Sequence, residues 1–313
     1  MYYTYKNFFP KKQLTSIQTQ FIKNNFINEG GFMTDTINID KSEKTLGKPQ
    51  YHIKVRPGEV GNYVLLPGDP DRVLRIAKYL DDAKEIAFHR EHRTWTGKYK
   101  GITVSATSTG MGCPSAAIAV EELANIGATH FIRVGSTGAL QKDMKIGDIV
   151  ISSGSMRLDG TSNYYAHKSF PAIPDHFLTK ALIDTSVKHK VNNNFDVFLG
   201  LSASSDAFYA ETPELLQMLA DHRVLNVEME SSAIFTIAHM RGLKSGMVCA
   251  VSGNLLTNDV IYDRENTGLI QGWEDAIQIA LDSIYQYETE NYDDLSKKYT
   301  PEFNYSRRYH PKF

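Results

Sequence analysis

A basic residue follows a glycine turn at the end of an apolar run, and this combination could bind an anion. Residues 64–72 read VLLPGDPDR: an apolar stretch, a turn containing Gly68, a proline at a predicted helix start, and then Arg72. Backbone amides at such a strand–turn–helix corner point toward negative charge, and a guanidinium can bind two oxygens of one phosphate. The stretch therefore predicts an anion site that suits phosphate, although a glycine turn alone is not specific.

A second basic residue lies inside a predicted buried strand. Residues 131–138 read FIRVGSTG, so Arg133 comes near the end of an apolar strand, and a turn of small residues that includes Ser136 follows it. A buried guanidinium needs a partner because an unpaired buried charge is costly. That partner is either an acid elsewhere in the chain or an anionic ligand, and the neighbouring glycines and hydroxyls favour the ligand.

Two further stretches place small or acidic residues at strand ends. Residues 107–115 read TSTGMGCPS and predict a loop before a helix, which a tight turn without a ligand explains at least as well. Residues 227–233 read VEMESSA, where Glu228 and Glu230 directly follow an apolar strand. Acids in a first helical turn are often solvated caps. The preceding strand instead places one carboxylate in the interior, where it could accept hydrogen bonds from two vicinal hydroxyls such as those of a ribose.

Apolar runs alternate with amphipathic windows from Tyr51 onward, and this pattern predicts an α/β layered domain. The predicted strands cover residues 62–67, 84–89, 93–99, 102–107, 129–135, 147–154, 196–203, 223–228 and 245–252. The predicted helices cover residues 71–80, 114–126, 175–189, 212–221, 230–241 and 266–288. Residues 1–50 predict a partly disordered extension outside the core, residues 51–288 one domain, and residues 289–313 a tail that wraps the surface or stays mobile.

The composition is that of an ordinary globular protein. The 313 residues are 42% hydrophobic and 22% charged with a formal net charge of -2, so no global field attracts nucleic acid or an anionic membrane, and neither is an expected partner. Cys113 and Cys249 are too few for a disulfide scaffold or a zinc site and predict two buried free thiols. No apolar stretch reaches the roughly 20 residues that span a bilayer. We therefore expect a cytoplasmic protein.

Taken together, four ordered motifs resemble those of the nucleoside phosphorylase family, in its uridine phosphorylase branch. They are residues 68–72 (GDPDR), 89–91 (HRE), 133–138 (RVGSTG) and 228–231 (EMES), and residues 156–160 (MRLDG) and 204–209 (SSDAFY) support the same branch. The similarity runs with few gaps from Tyr51 to Asn254. It implies a three-layer αβα fold around a central mixed twisted sheet and a catalytic domain at residues 51–288.

The resemblance also implies the reaction and the residues that carry it. Phosphate attacks the ribose of a nucleoside and releases the free base and ribose 1-phosphate, with no metal or other cofactor. The residues implied to bind phosphate are Gly68, Arg72, Arg90, Arg133 and Ser136; those implied to hold the ribose are His52, Met229 and Glu230; those implied to contact the base are Phe208 and Asn254. Of these, Arg72, Arg133 and Glu230 are the implied catalytic residues. Arg90 and His52 are expected to reach in from a neighbouring subunit, which implies a homo-oligomer of at least two chains and leaves a hexamer open.

The segment that would read the base departs from the best-known branches. Uridine phosphorylases of the best-known bacterial type use a Gln and an Arg shortly after the Phe-Tyr pair and an Arg after a later Asn. This chain has residues 210–214 (AETPE) and Leu255 instead. The hexameric purine branch has an Asp in a Ser-Asp motif where this chain has Gly253 and Asn254. The Gly-Asn pair resembles one subgroup of uridine phosphorylases and favours uridine as the substrate.

Three alternatives to uridine phosphorolysis stay open at this point. Purine nucleosides could be the substrate, since Asn254 offers a hydrogen bond. Water could replace phosphate, although Arg72, Arg90 and Arg133 would then have no purpose. A non-catalytic nucleoside-binding relative is the third alternative, and the changes at residues 211–214 and at Leu255 favour it.

Overall fold

The computed structural model of the chain describes residues 47–257, 259–260 and 267–299. Residues 1–46 of the predicted extension lie outside the described residues, as do residues 300–313 of the predicted tail. For residues 259–260 the secondary structure is described without the side chains.

Strands and helices alternate along the described chain, as the sequence pattern predicts. The strands are β1 (Tyr63–Leu66), β2 (Asp81–His89), β3 (His92–Tyr99), β4 (Ile102–Thr107), β5 (His130–Ala139), β6 (Ile149–Leu158), β7 (Val197–Ser205), β8 (Asn226–Glu228), β9 (Lys244–Asn254) and β10 (Asp259–Val260). The α-helices are α1 (Pro70–Ala77), α2 (Cys113–Asn125), α3 (His176–Lys190), α4 (Pro213–Asp221), α5 (Ser231–Met240), α6 (Thr267–Thr289) and α7 (Tyr292–Tyr299). Single 3-10 turns cover Thr161–Tyr164 and Phe208–Ala210.

Several helices begin at capping signals that the sequence carries. The side chain of Asp69 accepts a hydrogen bond from the backbone N–H of Asp71 at the start of α1, and Pro70 occupies the first turn. Thr212 caps α4 in the same way, with a proline at the next position. Such caps satisfy amides that have no partner inside the helix, which fixes where the helix begins.

The strands form one mixed sheet in the order β10-β9-β6-β7-β8-β5-β1-β4-β3-β2, and β5 also pairs with β9. The central strand β5 runs parallel to β9 over its whole length. On the other edge of β5, β1 pairs as far as Arg133 and β8 begins only at Gly138. Between these two partners, residues 134–137 have an open edge. The sheet thus leaves a gap at the carboxyl end of β1, where ligands bind in open α/β sheets.

Helices cover both faces of the sheet. Alternate residues of β1 and β5 point to opposite sides, so that Leu65 and Ile132 pack against α1, α3 and α6, whereas Leu66 and Phe131 pack against α2 and α5. Burial of apolar side chains on both faces requires a helical layer on each side. The predicted three-layer αβα fold with a mixed sheet is confirmed.

The structure differs from the predicted elements in three places. The predicted turn after Arg133 is wrong, because β5 continues to Ala139 and pairs there with both β8 and β9. The short strand β10 has no counterpart among the predicted elements. The predicted tail contains α7, whose Tyr292 is 4% exposed and belongs to the core that α3 and α6 share.

Helix α6 lies unusually close to the sheet at Gly272. A Cβ atom at this position would lie 2.9 Å from the Cα of Gly147 and 3.0 Å from the Cβ of Ala250. Overpacking of this kind is destabilising, so only glycine allows this approach. The close contact brings the next residue of α6, Trp273, to the carboxyl end of β5.

The described residues bear on two expectations, that the cysteines are free thiols and that no segment is apolar enough to span a bilayer. Cys113 and Cys249 are both buried and free, as predicted. Within the described ranges, no helix is both long enough and apolar enough to cross a membrane.

Candidate active site

A cavity of about 690 Å³ opens at the gap in the sheet between β1 and β8. Its walls come from the turn after β1, the loop after β4, the end of β5, the start of α5 and the end of β9. The predicted site residues that line it are Gly68, Arg72, Arg133, Ser136, Phe208, Met229 and Glu230. Three of the predicted residues, His52, Arg90 and Asn254, are not part of this lining.

Arg133 is the centre of a buried ion cluster at the base of the cavity. Its Nε atom lies 2.6 Å from Oε2 of Glu228, and its Nη2 atom lies 2.5 Å from Oε2 of Glu230. Burial works against the charged guanidinium, but the two carboxylates outweigh it and raise the pKa of Arg133. Arg133 is therefore paired with acids of the chain and also lines the cavity, so its contact with an anionic ligand stays a prediction.

The guanidinium of Arg133 needs a glycine next to it. A Cβ atom on Gly135 would lie 3.0 Å from Cζ of Arg133. The side chain of Arg133 therefore extends along its own strand and lies over Gly135. This explains why the motif at residues 133–138 begins with Arg and continues with small residues.

The two acids of the cluster have different roles. The carboxylate of Glu228 accepts hydrogen bonds from the hydroxyls of Ser204 and Ser231 and from the backbone N–H groups of Glu230 and Ser231. From the described residues, Glu230 accepts one hydrogen bond, from the backbone N–H of Gly112 at 2.6 Å, besides its contact with Arg133. A carboxylate has about four acceptor positions. Glu228 is thus saturated by the protein, while Glu230 retains positions for a ligand.

Burial raises the pKa of Glu230 above its usual range, and the charge of Arg133 offsets only part of this effect. The loop at residues 107–115 supplies the amide that holds its carboxylate, because α2 begins there and Gly112 has a φ of 88°. This loop is tied to the turn after β1, since the backbone N–H of Gly110 donates to the carbonyl of Gly68 at 3.0 Å. The loop at residues 107–115 is therefore part of the site. A tight turn without a ligand had explained its sequence equally well.

Arg72 lies in the cavity wall, and no carboxylate of the described residues forms an ion pair with it. Its Nε atom is buried and has no hydrogen-bond partner among the described residues. Burial lowers the pKa of Arg72 to about 10, Asp69 partly offsets this, and the nearby charge of Arg133 adds to it. The guanidinium instead stacks on the indole ring of Trp273, with Cζ 4.6 Å from the ring centroid. An arginine that stays charged and lacks an acid is suited to an anionic ligand.

Sequence reasoning did not identify Trp273. Its indole N–H donates to the hydroxyl of Ser136 at 2.8 Å, so that it contacts two residues of the cavity wall. In the sequence it is one aromatic residue in an amphipathic window, about 140 positions from Ser136. Only the packing of α6 on the sheet relates the two, and no local signal could have found it.

His52 and Arg90 lie together outside the cavity lining. The Nδ1 atom of His52 is 2.7 Å from Oε1 of Glu122, and its backbone carbonyl contacts the ring of His89 at 2.8 Å. Arg90 follows His89 in an exposed turn with a φ of 55°. The two predicted site residues thus share one surface of the chain.

Asn254 has a structural role in this chain. Its amide nitrogen donates to the carbonyls of Gln141 and Met144, and its oxygen accepts from the backbone N–H of Leu256. With 3% exposure, the side chain holds the loop after β5 against the end of β9. The geometry does not favour the predicted contact between Asn254 and a base. The neighbouring Leu255 lines the cavity instead.

The remaining wall of the cavity carries an aromatic ring and an acid. Phe208 is 46% exposed and forms an edge contact with Tyr209, and both Phe208 and Glu211 line the cavity. Glu211 is half-buried, accepts no hydrogen bond from the described residues, and has a pKa raised by burial. Across the described part of the chain, no group of three or more His, Cys, Asp or Glu side chains is arranged to hold a metal ion.

The chain is similar in sequence and in fold to several known proteins. The model of the phosphorylase superfamily matches residues 62–281. The chain is 48% identical over 223 residues to a uridine phosphorylase of Thermococcus kodakarensis, a match that covers 67% of this chain and 79% of that relative. It is 40% identical over 210 residues to a guanosine phosphorylase of Halorubrum lacusprofundi, covering 67% of this chain and 86% of that relative. The crystal structure of uridine phosphorylase from Vibrio fischeri aligns with a TM-score of 0.70 at 35% identity, covering 76% of this chain and 98% of that one.

We predict that Arg133→Ala lowers the free energy of unfolding by about 3 kcal/mol at pH 8, because it leaves two buried carboxylates without their cation. Burial raises the pKa of Glu230, and in the variant Arg133 no longer offsets this effect, so the folded state binds a proton at Glu230 more strongly than the unfolded state does. The stability of the variant is therefore partly recovered as the pH falls below the folded pKa of Glu230 and is lost as the pH rises through it. Urea unfolding at pH 5 and pH 8 should therefore show a smaller loss at pH 5.

The control is Arg241→Ala, which removes a partly exposed ion pair with Glu121. This control should cost about 1 kcal/mol or less at both pH values. An Arg133→Ala variant that loses no more stability than the control, or loses the same amount at both pH values, would contradict the buried ion cluster.

Proposed function

The chain belongs to the phosphorylase superfamily, and on that premise we propose that it cleaves a nucleoside with inorganic phosphate. The substrate that we expect is uridine, and the products are uracil and ribose 1-phosphate. The observation that carries the proposal is Arg72, a charged cavity residue that has no acid partner among the described residues and stands beside Arg133 and Ser136. We also propose that residues 51–288 are the catalytic domain and that the protein acts in the cytoplasm.

The phosphate is proposed to lie against Gly68, Arg72, Arg133 and Ser136. The turn at Gly68 presents backbone next to the start of α1, and a helix start favours an anion. Arg72 and Arg133 contribute two guanidiniums, which position and partly neutralise the nucleophile. Phosphate held in this way is oriented toward the sugar, and orientation of reactants provides a large part of such rate accelerations.

The ribose is proposed to lie between the phosphate and the base, against Met229 and Glu230. Glu230 retains acceptor positions that two vicinal hydroxyls can fill, and Met229 offers a half-buried apolar surface. As the N-glycosidic bond lengthens, the ribose gains positive character, which the nearby Glu230 carboxylate and phosphate stabilise. The phosphate then bonds to C1 of the ribose, the C1–N bond breaks and its electrons leave with the base. The base takes up one proton, and the phosphate loses one on becoming the phosphate ester, so that the step balances. This chemistry requires no metal or cofactor from the protein.

A neighbouring subunit is proposed to complete the site with Arg90 and His52, so that the active protein is at least a dimer. The cavity lining contains two guanidinium groups, those of Arg72 and Arg133, and five carboxyl groups, so acidic groups outnumber basic ones. Such a wall binds a phosphate dianion poorly unless a further cation is supplied. Arg90 is exposed, outside this cavity, and adjacent to the surface on which His52 lies. Both residues are therefore available to the cavity of another copy.

The base is proposed to stack on Phe208 and to be read by Glu211. Uracil presents an N–H between two carbonyl oxygens, whereas guanine presents two neighbouring N–H donors. A protonated carboxyl group offers one donor and one acceptor and so complements uracil, and burial raises the pKa of Glu211 toward this form. An ionised carboxylate offers acceptors only and so complements guanine.

Guanosine is therefore the second candidate substrate. The half-buried carboxyl of Glu211 in the cavity favours it, and one relative of this chain is a guanosine phosphorylase. Uridine requires the protonated form of Glu211 and guanosine requires the ionised form. The pH dependence of cleavage therefore distinguishes the two substrates.

We predict that base release from uridine depends on phosphate. A panel of pyrimidine and purine nucleosides, assayed with and without phosphate, should give base and ribose 1-phosphate in equal amounts. The Arg72→Ala variant should raise the KM for phosphate by about 30-fold or more, because a charged contact in a desolvated site is lost. Equal base release without phosphate would indicate hydrolysis, and nucleoside binding in calorimetry without turnover would indicate a non-catalytic relative; either result contradicts the proposal.

We predict opposite pH profiles for the two bases. The kcat/KM for uridine should fall as the pH rises through the pKa of Glu211, because the acid form is lost, while kcat/KM for guanosine should rise. Glu211→Gln offers both hydrogen-bond donors and an acceptor at every pH. This variant should retain uridine cleavage, flatten its pH profile and reduce guanosine cleavage by about tenfold or more. Unchanged profiles in the variant would exclude Glu211 as the residue that reads the base.

We predict that two inactive variants restore each other if the site is shared. When Arg72→Ala and Arg90→Ala chains are mixed and allowed to exchange, each mixed dimer contains one site with both arginines. Random mixing should restore about a quarter of the wild-type activity, since half of the dimers are mixed and one of their two sites is intact. Mixing two batches of Arg72→Ala is the control. No recovery, or an active monomer in sedimentation, would contradict the shared site.

A further inference from the structure

Trp273 lies behind the wall of the cavity and contacts two of its residues from the same side. Its indole N–H donates to Oγ of Ser136 at 2.8 Å, and the guanidinium of Arg72 lies 4.6 Å from its ring centroid. Trp273 itself is absent from the cavity lining. It belongs to α6 and packs partly buried against the core under β1 and β5.

The contact with Ser136 determines what the hydroxyl can do next. A hydroxyl has one donor and two acceptor positions, and the indole N–H can only donate. Ser136 must therefore accept from Trp273, which leaves its own proton free to donate toward the cavity. A ligand that accepts a hydrogen bond, as each phosphate oxygen does, complements this arrangement.

The indole ring of Trp273 is an uncharged partner for the guanidinium of Arg72. Arginines in protein interiors are normally paired with acids, as the buried Arg133 is paired with Glu228 and Glu230. An aromatic ring attracts a guanidinium through its electron-rich face without neutralising it. Arg72 thus keeps its full charge and its free N–H groups, and its buried Nε has no hydrogen-bond partner among the described residues.

We propose that Trp273 is a positioning residue of the phosphate site: its indole N–H turns the Ser136 hydroxyl toward phosphate, and its ring holds Arg72 without neutralising it. This inference rests on the proposed function, because it assumes that the anion in the cavity is phosphate. Trp273 acts through its two neighbours and does not touch the substrate. Its loss should therefore affect phosphate and leave the nucleoside half of the site unchanged.

The first experiment measures phosphate binding without any turnover. The chain contains two tryptophans, Trp95 and Trp273, so Trp95→Phe leaves Trp273 as the single indole. Trp95 lies on β3, where its indole N–H donates to Glu85. Titration of this variant with inorganic phosphate should change the fluorescence of Trp273 in a saturable way. No change at phosphate concentrations that saturate turnover would overturn the proposal.

The second experiment separates the two contacts by kinetics. Trp273→Phe keeps an aromatic face and removes the N–H, and should raise the KM for phosphate about fivefold. Trp273→Leu removes both contacts and should raise it about thirtyfold. The KM for the nucleoside should change less than twofold in both variants, and Trp95→Phe should match the wild type. A rise in both KM values, or in neither, would show that Trp273 only packs the core.

A double-mutant cycle with Ser136→Ala tests the route through the hydroxyl. If Trp273 orients Ser136, Trp273→Phe should raise the KM for phosphate fivefold in the wild-type background and less than twofold in the Ser136→Ala background. Equal effects in the two backgrounds would overturn this route. Thermal unfolding of each variant verifies that the comparison is between folded proteins.

These results are distinct from a failure of the proposed function. If the wild type released no base in a phosphate-dependent manner, the proposed reaction would be wrong, whatever the variants showed. The fluorescence titration would still report whether phosphate binds beside Trp273. If turnover depends on phosphate but the Trp273 variants behave as the wild type, the proposed reaction is supported and the positioning role of Trp273 is wrong.

Discussion

The buried ion cluster of Arg133 with Glu228 and Glu230 is the interaction on which the rest of the site depends. Two carboxylates this close repel each other in the interior and require the guanidinium between them. Glu228 is further held by two serine hydroxyls and two backbone amides, so it acts as a fixed anchor. Glu228 thus keeps its contact with Arg133 and is fully hydrogen-bonded. Glu230 has fewer protein partners and retains free acceptor positions at the cavity surface.

The same cluster determines how charge is distributed around the cavity. With both acids ionised, one cation and two anions leave the cluster net negative, and Arg72 alone brings the group to neutrality. A site for phosphate then needs Arg72 to keep its charge, which explains why an indole ring, and no acid of the described ranges, is its partner. It also explains why an arginine from another copy would be valuable. The uncharged aromatic partner of Arg72 and the proposed arginine from a second copy thus follow from one electrostatic constraint.

Much of this architecture could be predicted from the sequence because its signals are local. Apolar alternation located nearly every strand and helix, and Gly68, Arg72, Arg133 and Ser136 were predicted at one edge because the carboxyl ends of parallel strands converge there. Contacts made across long separations escaped prediction. The Trp273–Ser136 hydrogen bond depends on how closely α6 packs at Gly272, and the role of Asn254 depends on carbonyls of a loop more than 100 residues away. The continuation of β5 beyond Arg133 depends on pairing with β8 and β9, which small residues alone did not reveal.

Phosphate is the proposed nucleophile, and the source of the oxygen atom that becomes bonded to C1 of the ribose is the most direct test of this role. Uridine and the protein can be incubated with phosphate labelled with ¹⁸O at all four oxygens, and the sugar product followed by ³¹P NMR. We predict ribose 1-phosphate in amounts equal to the uracil released, with all four labelled oxygens retained. Release of uracil with unlabelled free ribose and unchanged phosphate would contradict the account, because water would then be the nucleophile.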